Sequence, residues 1–303
     1  MDPKVRAFSL ALVGEIFLAL GFSKYGLAYR MFHRLFLSVA DNLSAIALTA
    51  DGRIKSEGFP SAAQWTLEHW CSSVGSHCSE NIPGEGPLLL ISNHAGTYDT
   101  FILASQIKRN DLKIIVSDVP FLKNLPNARE HLIFLSDATH DRMAAVRTGI
   151  QHLKDGGALL LYGTGLIDPD PEVYPDADKW IDRWSPSIDI FLRSIPQSRI
   201  VLSIVSGVVS NKWSHHPVTW LKKIGWQKRR LAEFSQIVYQ LRKPGKLFLE
   251  PSVSFSSSLS TQELLKESNQ EGRLLPAIIS RGKNLLDSHC KWIGKCANVN
   301  NNS

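Results

Sequence analysis

The chain has 303 residues, with 34 Lys and Arg against 28 Asp and Glu, 10 His, four Cys and 44% hydrophobic residues. A chain of this length buries a substantial core without disulfides or a structural metal, and 20% charged residues with no low-complexity tract or internal repeat exclude a disordered, fibrous or solenoid protein. The formal net charge of +6 does not by itself point to nucleic acid; it suits an anionic partner such as a membrane surface, a phosphorylated ligand or an acidic carrier protein.

Residues 7–22 form a largely apolar run interrupted by Glu15. That run falls short of the roughly 20 residues needed to span a bilayer, and the lack of a clear small-residue cleavage site disfavours a removed signal peptide. Further on, Ala28, Phe32, Leu35, Phe36, Val39, Leu43 and Ile46 recur at helical spacing, with Lys24, Arg30, Arg34, Ser38 and Asp41 on the other face. Residues 4–48 are therefore expected to form two amphipathic helices that lie on a membrane surface or cover an apolar groove. A helical hairpin packed on the main domain is the alternative. Residues 1–50 are assigned to this appendage and residues 51–303 to one α/β domain.

A polar, turn-rich stretch over 49–58 precedes a helical segment near 62–74. From there the pattern alternates. Strands are expected at 87–91, 113–116, 132–135, 158–162, 200–205 and 246–249, and helices at 100–107, 143–154 and much of 262–286. Gly156 and Gly157 supply a stop signal for the helix before them. Strands separated by helices predict a mostly parallel or mixed sheet with helices on both faces. The spacings of Cys71 with Cys78 and of Cys290 with Cys296 match neither a zinc site nor a redox motif. Free thiols are expected, although His69, His77 and His289 lie nearby; no metal and no cofactor is predicted.

In such sheets chemistry sits beyond the carboxyl ends of strands. Behind the run at 87–91 come Ser92, Asn93, His94, Ala95, Gly96, Thr97, Tyr98 and Asp99. A histidine removes a proton from a hydroxyl near neutral pH. A carboxylate on its other ring nitrogen fixes the tautomer and stabilises the imidazolium that forms. Five positions apart on a continuous helix the two side chains diverge, so His94 and Asp99 meet only across a bend, which Gly96 permits. A loop histidine beside a helix-capping aspartate is the plainer reading of the same residues.

The arrangement resembles the glycerolipid acyltransferase family, which includes lysophosphatidic acid and glycerol-3-phosphate acyltransferases. Its hallmark, N-H-x4-D after a buried strand, is matched by Asn93, His94 and Asp99. A second block, closing an apolar strand, is similar to residues 131–137, and a third, strand then Glu-Gly-Thr-Arg, to the strand ending at Tyr162, Gly163, Thr164 and Gly165. A fourth, apolar block is loosely matched at 200–205. The resemblance covers residues 85–255 and implies an acyl transferase in which His94 is the base and Asp99 its partner. It also implies a substrate-binding role for Asn93, Gly96, Tyr162, Gly163, Thr164 and Gly165. Two departures stand out: Asp137 occupies the second block's usual Arg, while Tyr162 and Gly165 replace Glu and Arg in the third. Those arginines hold the acceptor's phosphate in the family, a task suited to guanidinium groups. Arg142 or Arg147 is the candidate substitute, and each is equally read as a solvated helix residue. Gly163–Gly165 would present backbone N–H groups to an oxyanion, or simply form a tight turn.

Two charge blocks complete the pattern. Six basic residues, no acid and the tryptophans Trp213, Trp220 and Trp226 fall between Lys212 and Arg230. They fit a membrane interface, the phosphates of coenzyme A or an acidic acyl carrier protein, or a solvated surface with core-facing rings; no nucleic-acid motif accompanies them, so no nucleic-acid partner is expected. Asp168 to Asp182 is acidic and proline-rich, expected as a mobile loop that covers the site or is merely solvated. The expected activity is transfer of a fatty acyl group from acyl-CoA or acyl carrier protein to a hydroxyl of a lipid or glycerol-derived acceptor, at the cytoplasmic side of a membrane surface. The absence of a Gly-x-Ser-x-Gly elbow counts against an ordinary α/β-hydrolase. A weakly active lipid-binding module and a lipid or thioester hydrolase are the alternatives.

Overall fold

The computed structural model describes residues 6, 8–10, 12–13, 27–136, 139–267 and 274–297, with the backbone alone at 27–35 and 139–140. The rest of the predicted first N-terminal helix, the side chains of Ala28, Phe32 and Leu35, and Asp137 lie outside the described residues.

Among the described residues, eight strands form one mixed sheet. In chain order they are β1 Gly75–His77, β2 Leu88–Ser92, β3 Leu112–Ser117, β4 Leu132–Leu135, β5 Ala158–Tyr162, β6 Arg199–Ser206, β7 Ser252–Phe255 and β8 Leu259–Ser260. The main spatial order is β1-β7-β6-β2-β5-β3-β4, with β8 paired to β6. Strands β6, β2, β5, β3 and β4 are mutually parallel, while β7 and β8 run antiparallel to β6.

Strand β2 lies at the centre, between β5 and β6, and all five of its residues are buried. Its unbroken apolar run follows from that position: Leu88 and Leu90 enter one core layer, Leu89 and Ile91 the other. On the first face pack α1 (Leu27–Glu57), α2 (Phe59–Leu67) and α3 (Asp99–Ile107), joined by Leu241 of α10 (Gly225–Arg242). On the second pack α6 (Thr139–Lys154), α8 (Ser187–Ser194) and α12 (Leu275–Ile293). Short helices α4 (Pro120–Lys123), α5 (Pro126–Glu130), α7 (Ala177–Ile181), α9 (Asn211–Ser214) and α11 (Thr261–Glu267) fill the connections. Helices thus cover both faces of the sheet, as the alternating pattern predicts.

Several expectations are corrected. The polar stretch at 49–58 is not a turn but the last turns of α1, whose Asp51 caps α5 by accepting from the amides of Asn127 and Ala128 at 2.9 and 2.8 Å. In the described part of α1, Val39 is buried in the main core with Leu43, Ile46 and Ile54 against it, so this face packs on protein. Residues 246–249 hold only an isolated bridge between Leu249 and Cys71, and the strand lies further on, at β7. Cys290 and Cys296 are joined in a disulfide, while Cys71 and Cys78 are free. Local turn signals do not reveal a helix held by tertiary capping, nor does sequence spacing reveal a bond across a helix end.

Candidate active site

Strand β2 ends at Ser92, in register with Tyr162 of β5 on one side and Ser203 of β6 on the other. The chain then leaves the sheet. Asn93 fixes the exit: its side-chain amide donates to the Val205 carbonyl at 2.9 Å, and its carbonyl accepts from the Val205 amide at 2.8 Å. A buried Asn used in this way replaces the ladder bonds that β2 no longer makes. Both polar ends of the Asn93 side chain are thus engaged in holding the loop against β6.

The bend required by the five-residue spacing is present. His94 Nδ1 donates to Asp99 Oδ2 at 2.7 Å, and the Gly96 amide donates to the same oxygen at 3.2 Å. A Cβ at position 96 would lie 2.7 Å from Glu233 Oε1, so a larger residue here would displace that carboxylate. With Nδ1 carrying the proton, Nε2 keeps its lone pair and has no hydrogen-bond partner among the described residues. The His94 side chain is 22% exposed and Asp99 fully buried, so the imidazole faces outward and its partner inward.

Tyr162 completes the group. Its hydroxyl donates to Asp99 Oδ1 at 2.8 Å and accepts from Thr100 Oγ1 at 2.7 Å, while its ring stacks on the His94 imidazole with centroids 4.1 Å apart. Burial and then the Asp99 charge hold the phenol well above its ordinary pKa, which keeps it a donor. Burial alone would lower the pKa of His94. Asp99, with Glu233 and Asp168 near, outweighs that effect and raises it above 6.5. A second ring of acids frames the loop: Glu233 of α10 accepts from the Thr97 amide, and Asp168 accepts from the His94 amide at 3.0 Å and from Thr164 Oγ1 at 2.5 Å. Burial pushes Asp168 up to about 6.

Of the two readings of the third block, the tight turn is the one that the Gly163 and Gly165 amides fit. The Gly163 amide donates to the Ser92 carbonyl at 2.8 Å and the Gly165 amide to the Tyr162 carbonyl at 3.0 Å, so neither is available to an oxyanion. Gly163 is dictated by packing, since a Cβ would sit 2.4 Å from the Trp184 ring. Nor is the segment after it a mobile loop. Asp168 donates its amide to the His94 carbonyl at 2.6 Å, and buried Asp170 accepts four backbone N–H bonds, from Glu172, Gly207, Val208 and Val209, at 2.8–3.0 Å. The acidic stretch ties β5 to the end of β6. Arg142 and Arg147 are exposed on α6, which follows β4; β5 and β3 stand between β4 and β2.

Glu233 is the site residue the sequence reading missed. It lies on the buried face of α10 with Gln236 and Gln240, at helical spacing. Gln236 bonds the Ser210 amide and Val208 carbonyl; Gln240 accepts from the Tyr98 hydroxyl at 2.7 Å. Polar residues on a core-facing stripe were the available signal, because they are buried only with partners.

No protein-family model and no curated protein matches the chain. Among solved structures it is similar to the 1-acyl-sn-glycerophosphate (LPA) acyltransferase PlsC from Thermotoga maritima, with 15% identity and a TM-score of 0.47 over 94% of this chain and 96% of that one. A likeness at that level assigns no role to any residue here.

Proposed function

We propose that this protein is an O-acyltransferase that moves a fatty acyl group from a thioester, acyl-CoA or acyl carrier protein, to a hydroxyl of a lipid or glycerol-derived acceptor at a membrane surface on the cytoplasmic side. The observation that carries this reading is the His94 Nδ1–Asp99 contact of 2.7 Å, with Nε2 directed away from its carboxylate and unpaired among the described residues. Nε2 takes the acceptor hydroxyl's proton as the oxygen attacks the thioester carbonyl. The new C–O bond forms, the C–S bond breaks, and the departing thiolate receives the proton from the imidazolium. Asp99 holds the tautomer and offsets the charge that His94 gains. Tyr162 stands where the resembled family has Glu, and here it anchors the far oxygen of Asp99.

The test is incubation of the protein and its His94→Ala variant with labelled acyl-CoA and a total polar lipid extract, with products identified by mass spectrometry. A His94-dependent acylated lipid supports the reading and names the acceptor. Labelled free fatty acid alone would make the protein a hydrolase.

A further inference from the structure

The segment from Lys212 to Arg230 contains Trp213, Trp220 and Trp226, and the structure separates them. Trp213 is 9% exposed and stacks on His216, whereas Trp220 is 76%, Leu221 77%, Ile224 53% and Trp226 47% exposed. These four exposed apolar side chains fall within seven consecutive residues, on the 3-10 turn and the start of α10. They are not the tip of a slack loop. Residues Pro217–Leu221 form a 3-10 turn whose His216 side chain accepts from the Val218 amide at 3.2 Å. Thr219 is buried and donates to the His216 carbonyl at 2.8 Å. The fold therefore anchors the turn through Trp213, His216 and Thr219 and holds the large apolar groups out in water. Water opposes the exposure of so many large apolar groups on one short, anchored segment, which marks an interaction site.

Charge identifies the occupant. Lys222, Lys223 and Lys228 flank the apolar groups and make no ion pair among the described residues, and no acid occurs between Lys212 and Arg230. Arg229 is different: it pairs with Asp176 and lies over the Trp180 ring at 5.0 Å. Exposed tryptophan and leucine interleaved with unpaired lysine suit the headgroup region of an anionic bilayer, where rings enter the interface and ammonium groups meet phosphates. No helix among the described residues is long and apolar enough to cross a membrane.

We infer that the 3-10 turn and the start of α10 form a docking face that adsorbs to anionic membranes and brings the His94 site to the lipid surface. The inference deepens the membrane part of the proposed function but is read by binding, so it survives or fails apart from catalysis. The link to the site is α10 itself. Trp226 and Glu233 are seven residues apart on this helix, roughly 10 Å along its axis, and Glu233 holds the Thr97 amide beside His94.

The test is co-sedimentation of the full chain with phosphatidylcholine vesicles, with and without about one-third phosphatidylserine. Two double variants are compared, Trp220→Ala with Leu221→Ala and Lys222→Glu with Lys223→Glu, each first shown to keep the wild-type unfolding midpoint. The wild type is expected to bind the anionic vesicles, and each variant to bind them at least roughly tenfold more weakly. Wild-type binding by both variants would place lipid contact on another surface and overturn the inference. So would failure of the wild type to bind, or weakened binding of an acidic carrier protein by variants that still bind vesicles normally.

Discussion

At the scale of single residues, the contact between His94 and Asp99 was legible because it needs only a short bend between neighbours in sequence, and the bend is there. The role of Tyr162 was not legible. Its position was flagged as an oddity, a Tyr in place of Glu, but its bond to Asp99 depends on β2 and β5 pairing Ser92 with Tyr162. That bond makes a prediction. Tyr162→Phe keeps the ring stacked on His94 and removes a hydrogen bond to a charged acceptor, an interaction of about 1.5–3 kcal/mol. Turnover should fall roughly ten- to hundredfold with the fold retained; an unchanged rate would remove Tyr162 from the site's support. The raised pKa of His94 makes another. The base is active when neutral, so the rate falls as pH drops through its pKa, and the midpoint of the acid limb should lie above the ordinary value of 6.5. A midpoint below that value would show that the neighbouring acids do not govern His94.

Elements were legible where one face met the core and illegible where distant groups decided. Strands β2, β4 and β5 follow from apolar runs bounded by turn residues. The C-terminal turns of α1 escaped because Asp51 is held by α5, about 76 positions on in sequence, a tertiary contact that overrides local turn chemistry. The acidic stretch after β5 escaped for a similar reason: charge and proline suggest solvent, yet buried Asp170 accepts from four backbone amides, three of them consecutive after β6 and one two residues on in its own stretch. Helix α12 carries a further case. Its His289 is fully buried between Ser206 of β6 and Ser254 of β7, with hydroxyl contacts of 2.8 Å on each ring nitrogen. Burial, assisted by His77, lowers its pKa to about 4. A depressed folded-state pKa contributes stability that is present above the unfolded value near 6.5 and lost as pH falls toward 4. The loss is about 3 kcal/mol. Urea unfolding of wild type and His289→Gln across that window should show their stability difference shrinking by that amount; parallel curves would contradict the assignment.

At the scale of the whole molecule, a sheet flanked by helices was readable from alternation, whereas strand order was not, because nothing local says that β6 pairs with β2 rather than with β5. That order matters to function. It sets Asn93 against Val205 of β6, Tyr162 against the end of β2, and α10 over the loop so that Glu233, 136 positions from Thr97, reaches it. The site is thus assembled at the carboxyl ends of three adjacent parallel strands, the place that open α/β sheets favour. The central claim is that His94 is the base in acyl transfer. Its most direct measurement is the rate of thioester-to-hydroxyl acyl transfer by wild type and by His94→Ala, both with the same unfolding midpoint and with saturating labelled acyl donor and the identified acceptor. The account predicts a fall of roughly a hundredfold to ten-thousandfold; equal rates in the two proteins would contradict it.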